Sequence, residues 1–197
     1  MKRDVIIPPS EFRSSSFLSC QKDIETILRK LFIESKPYSD YLKRLLIINM
    51  EDCLDIDNKI YNEQIKKSLK QLIEEGYISF IPKIKFEEHE EVKTYLMISF
   101  DNFYTNPTNP QFRDCTVNFD IICHTDYWDI RDYQVRPLKI AGYIDGILNE
   151  CKLSGIGTFN FLGCNQLILN QDLSGYTLSY RAVHGSDDKI SPEENNE

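Results

Sequence analysis

The sequence predicts an α+β fold: an antiparallel sheet of about four to five strands packed by two or more helices, with an N-terminal helical segment and an extended arm. Three observations carry this. Apolar residues recur with a period of about 3.6 up to Gly76 and with a period of 2 after it. The strand-like segments follow one another without long helical crossovers, which implies antiparallel pairing. A further amphipathic segment, "RPLKIAGYIDGILN", interrupts the strands late in the chain.

Residues 1–16 carry Pro8, Pro9 and "RSSS" without periodicity and read as an extended N-terminal arm. A helix is expected from Ser16, with Ile24, Ile27, Leu28, Leu31 and Phe32 on one stripe and Lys22, Glu25, Arg29 and Lys30 on its wet side. Pro37 should end it. A short apolar segment, "SDYLKRLLIINM", and the acidic break "EDCLDIDNK" follow. A further helix is expected from about Asn58, with Tyr61, Ile65, Leu69, Leu72 and Ile73 on one face and Gly76 at its C-terminus. Residues 17–76 are therefore a helical segment.

Residues 77–184 form the expected α+β core. "YISFIPKIKF" alternates Ile78, Phe80, Pro82, Ile84 and Phe86 against polar residues, and "TYLMISFDNF" puts Leu96, Ile98 and Phe100 on one face. "CTVNFDIICH" alternates Val117, Phe119, Ile121 and Cys123. The next helix shares Ile140, Ile144, Ile147 and Leu148 on a face, with Pro137 in its first turn. "GTFNFLGCNQLILNQ" and "GYTLSYRAVHG" read as a closing hairpin, and residues 185–197 as a disordered acidic tail.

The formal net charge of -8 argues against gripping a phosphate backbone, which depends on Lys and Arg displacing counterions. No apolar run approaches the roughly 20 residues that span a bilayer, so no membrane partner is expected and the chain should be cytosolic. The six cysteines include no C-x-x-C and sit largely in apolar segments, as buried free thiols would.

The densest reactive stretch holds Cys123, His124, Asp126, Trp128, Asp129 and Asp132. Cys123 is in phase with the apolar face of its strand and His124 points the other way, so the two do not converge on a metal or pair as nucleophile and base. The neighbouring carboxylates would raise a thiol pKa, not lower it. The three Asp lack the spacing of a calcium loop. Gly155 and Gly157 follow a helix and open a strand, the reverse of a phosphate-binding loop. Trp128 and Tyr127 should lock a strand-to-helix turn, with Arg131 or Arg136 pairing with the acidic side chains. No enzyme activity, catalytic residue, cofactor or metal is expected.

The order of helix, strands, strand-to-helix turn with "RPLKIAGYIDGILN" and closing hairpin "GCNQLILNQDLSGYTLSYRAVHG" resembles the bacteriophage tail terminator and neck (head-to-tail joining) proteins over residues 77–184. The resemblance implies a structural virion protein, made in the host cytoplasm, forming a homo-oligomeric ring, usually of six, between the tail tube protein and the head connector or stopper protein. Acidic subunits would give a lumen through which genomic DNA passes without specific binding. The candidate interface residues are Ile6, Ile7 and Phe12 of the arm and Thr105, Asn106, Pro107, Asn109 and Phe112 of the loop "YTNPTNPQF", extended stretches free to pair with neighbours. Two alternatives stand beside it: a cytosolic regulatory or inhibitor protein binding one partner through its helical segment, and a small-molecule enzyme built on "HTDYWD".

Overall fold

A computed structural model describes residues 20–80, 93–107 and 112–185. The arm, the tail beyond Gly185, the segment "IPKIKF" and Asn109 lie outside the described residues.

The first helix, α1 (Cys20–Arg29), continues into a wider π-helical turn (Lys30–Glu34) that stops before Pro37. Its stripe faces inward as expected: Ile27, Leu28, Leu31 and Phe32 are buried and Ile24 packs against them. α2 (Tyr38–Ile47) buries Leu42, Leu45 and Leu46. The helix expected from Asn58 is instead two short ones, α3 (Lys59–Gln64) and α4 (Leu69–Glu74). Asn58 caps the first, its side chain accepting from the N–H groups of Ile60 and Tyr61. Ser68 and Gln71 form a reciprocal capping box that starts the second. Gly76, at φ 80, then turns the chain into the sheet.

The main sheet runs in the order β1-β2-β3-β9-β8. Its strands are β1 (Ile78–Ser79), β2 (Tyr95–Thr105), β3 (Phe112–His124), β8 (Asn160–Ile168) and β9 (Leu173–Gly185). Two small hairpins lie outside it, β4 (Asp129–Ile130) with β5 (Gln134–Val135) and β6 (Lys152–Leu153) with β7 (Gly157–Thr158). The sheet is mixed, which corrects the antiparallel expectation: β1 pairs parallel with β2. The connection between Ser79 and Tyr95 is long enough to bring the chain back to the end it left, which a parallel pair needs and a hairpin does not. The other pairs are antiparallel, including the expected β8–β9 hairpin.

One face of the sheet holds the core. Val117, Phe119, Ile121 and Cys123 of β3 are all at 0% exposure, as their alternation requires. They sit in one cluster with Leu96 and Ile98 of β2, Leu178, Tyr180 and Ala182 of β9, and the buried residues of α1, α2 and α4. The helix α5 (Arg136–Leu148) closes this layer with Ile140, Ile144, Ile147 and Leu148 inward. The Tyr180 hydroxyl crosses to α5 and donates to Asp145 at 2.8 Å; burial and this carboxylate hold its pKa well above the usual phenol range. The helical segment and the sheet therefore share one hydrophobic core.

The opposite face is partly exposed and polar over most of its length, with an apolar row of Tyr95, Ile122 and Leu167 across one end. It carries Ser99 and Asp101 of β2, Asp114, Thr116, Asn118 and Asp120 of β3, and Thr177, Ser179 and Arg181 of β9. Cross-strand bonds tie it together: the Ser179 hydroxyl donates to Asn118 at 2.7 Å, that of Thr177 to Asp120, and Arg181 pairs with Asp114.

Candidate functional site

The stretch around Cys123 and His124 is a strand-to-helix turn built by the chain's own packing. Cys123 is buried in the sheet, and burial pushes its thiol up to about 12, with the Thr94 hydrogen bond and Arg136 opposing this. His124, half-buried on the other side of the strand, caps a short 3-10 turn (Thr125–Tyr127), its Nδ1 accepting from the Asp126 N–H at 3.2 Å. Trp128 packs against the core with its ring 6.2 Å from that of Tyr176. Among the described residues, no group of three or more His, Cys, Asp or Glu is placed to hold a metal ion.

Arg136 sits where the sequence led us to expect an acidic partner, and its role differs. It is fully buried, and its donors go to four backbone carbonyls: Nε to Tyr127 at 2.7 Å, Nη1 to Leu45 at 2.9 Å and Ile48 at 2.8 Å, and Nη2 to Met50 at 2.9 Å. Two of these acceptors close the C-terminal end of α2, where the last carbonyls lack helical partners and the helix dipole favours a cation. The guanidinium thus clamps the helical segment to the turn that begins α5. Arg131 does meet a carboxylate, with Nη2 3.6 Å from Asp52; its guanidinium is largely exposed, so the pair has small energetic weight. Arg44, also buried, donates to the Asp55 carbonyl at 2.9 Å and to the Asn62 side chain, and so holds the acidic break against α3.

The proposed docking loop is shorter than "YTNPTNPQF" suggested. Thr105 still belongs to β2, opposite Arg113, and Phe112 opens β3 opposite Gly185. Asn106 is tied down, its side chain donating to Asp114 at 2.7 Å; that bond and Arg181 hold the Asp114 carboxyl below the usual range. Thr105 and Pro107 are exposed. Ile6, Ile7, Phe12 and Asn109 lie outside the described residues.

Two surfaces went unread in the sequence. A groove of about 360 Å³ runs between α2 and α5, lined by Tyr38, Leu138, Lys139, Gly142, Tyr143 and Gly146. Tyr143 stacks on Tyr41 at 5.8 Å on its flank. A Cβ added at Gly142 or Gly146 would meet nothing within 4 Å. Gly142→Ala is therefore expected to stabilise the isolated protein by about 0.5–1 kcal/mol, since a mid-helix glycine costs that much relative to alanine. Urea denaturation checks this, and a destabilised variant would show that the position is not open. The second surface is β8. Its "FNFLGCNQL" text reads as buried, and Phe159 just before the strand is, yet Cys164 is exposed, as are Phe161, Leu162 and Ile168.

These features define a two-layer α+β protein with helices on one side of a mixed sheet and a polar face on the other. The family model of YomW matches residues 39–182, from α2 through almost all of β9, and the chain belongs to that family. It is a Bacillus phage-type family, which marks the chain as phage-associated. No curated protein and no solved structure matches the chain. Among the described residues, no helix is long and apolar enough to cross a membrane.

Proposed function

We propose that the protein is a structural component of a phage neck or tail, a ring subunit that terminates the tail tube and joins it to the head connector. The observation that carries this reading is the polar sheet face. It offers Asp101, Asp114 and Asp120 beside neutral amides and hydroxyls, and its arginine, Arg181, is already held by Asp114. A lumen lined by such faces repels phosphates and lets DNA pass, where a basic lining would hold it by counterion release. The phage-associated family and the net charge of -8 agree with this. The docking surfaces in this reading are the arm around Ile6, Ile7 and Phe12 and the loop between Thr105 and Phe112.

Deleting the gene tests it. Heads are expected to form while tails are of uncontrolled length or remain unattached, as seen by electron microscopy of lysates; normal infectious particles would refute the structural role. The groove between α2 and α5 favours a second reading, a regulatory protein that binds one partner on its helical side without catalysis. Sedimentation with and without the neighbouring virion proteins separates the two, because only a ring subunit enters a large assembly with them.

A further inference from the structure

The two edges of the main sheet differ. At the β2 edge, β1 covers Leu96 and Met97, and the remainder is bent by a bulge between Asp101 and Tyr104 with Asn102 at φ 53. Short cover strands and bulges are devices that keep a sheet edge from pairing with another chain. At the other edge, β8 has neither a covering strand among the described residues nor a gatekeeping charge: Leu153 to Gln171 contains no Asp, Glu, Lys or Arg, in a chain that is 27% charged. The strand contains no proline. Phe161, Leu162, Ile168 and Leu169 are 46%, 55%, 68% and 43% exposed, so apolar surface lies on both sides of an open backbone edge.

The hairpin fixes which backbone groups are free. The Leu169 N–H donates to the Leu173 carbonyl at 3.0 Å, so by alternation Leu167, Asn165 and Gly163 bond to β9. The N–H and C=O groups of Cys164, Gln166 and Ile168 then face outward. Asn149 accepts from the Phe161 N–H at 3.3 Å and closes the start of the strand, which leaves the stretch from Cys164 to Ile168 open.

We propose that β8 pairs antiparallel with β8 of a second copy of this chain, across a two-fold axis at Gln166, so that two sheets become one. Charge selects the occupant. Each copy carries -8, so most of its surface repels another copy, and β8 is the segment where that repulsion is least. A partner of opposite charge would be drawn to the acidic surfaces instead. The strand is also self-complementary about Gln166. Pairing there sets Cys164 opposite Ile168 of the second copy and Asn165 opposite its Leu167, with the two Gln166 amides side by side and able to bond each other. Backbone bonds then satisfy the outward groups, and the exposed side chain of Ile168 packs beside Cys164 of the second copy and leaves water. The contact is isologous and closes at two copies, so it is separate from the head-to-tail contact that would build a ring.

The full-length protein is expected to sediment as a dimer at tens of micromolar. Ile168→Lys, at an exposed position where folding should be untouched, is expected to return it to monomer with an unchanged far-UV circular dichroism spectrum. In a Cys164→Ser background, Gln166→Cys should form an intermolecular disulfide under mild oxidation, because residues directly opposite in such a pair have Cα atoms about 5.5 Å apart. A monomer at every concentration tested would overturn the proposal. A dimer that survives Ile168→Lys, or one in which Gln166→Cys does not cross-link, would overturn it equally, since the contact would then lie elsewhere, the groove between α2 and α5 included.

Discussion

Arg136→Met is expected to leave the protein largely unfolded. The methionine fills much of the volume but donates nothing, and the carbonyls of Tyr127, Leu45, Ile48 and Met50 lose their partner at a site with 0% exposure. A buried polar group left without a hydrogen bond costs about 1–3 kcal/mol. Four of them amount to on the order of 5 kcal/mol or more, comparable to the whole stability of a typical domain, about 5–15 kcal/mol. Arg136→Lys should recover little, because one ammonium cannot span acceptors arranged for a planar fork. Urea denaturation followed by circular dichroism reads the effect. An Arg136→Met protein within about 1 kcal/mol of the parent would show that water replaces the guanidinium and that the clamp is not structural.

Arg136 also marks the limit of what could be read from the sequence. The period-2 phase of β3 and the apolar stripe of α5 were legible because each depends only on local alternation and on one face meeting a core. The closing hairpin was legible for the same reason, two β-rich runs around a polar turn. Arg136 lies just before Pro137, surrounded by ordinary helix-start text, and its acceptors at Leu45 and Ile48 are 91 and 88 residues away. Nothing local announces them.

The break between α3 and α4 had a readable signal, since Ser68 and Gln71 in "SLKQ" have capping-box spacing, but the continuous apolar face across Tyr61, Ile65 and Leu69 masked it. The parallel pairing of β1 turns on the path of a connection, and the exposure of β8 turns on strand order. An apolar strand is buried in the middle of a sheet and half bare at its edge, with the same letters in both cases. The opposite orientations of Cys123 and His124 were legible from alternation alone, and the structure repeats them: a buried thiol and a capping imidazole on opposite sides of one strand.

Gly175→Ala is expected to be the most damaging substitution within the sheet. Gly175 lies in β9 between Ile122 of β3 and Leu167 of β8, at the centre of a three-strand layer. A Cβ built there would fall 1.7 Å from the Ile121 carbonyl oxygen and 2.8 Å from its carbonyl carbon. Those atoms are backbone, so no side chain can swing aside. The β3–β9 ladder itself must open, and it joins the longest strands of the sheet over the core that holds Phe119 and Tyr180. Overpacking that a core can absorb costs roughly 1–3 kcal/mol; a clash that parts two central strands should exceed that range and expose β8 and β9 as unpaired edges. The expected result is a chain recovered mainly as aggregate, with any soluble fraction melting well below the parent. The comparison with Gly142→Ala makes the test specific, because that added methyl meets open space and should stabilise. If both alanine variants behaved alike, whether both benign or both damaging, the close approach of β9 to β3 at Gly175 could not be what requires glycine there.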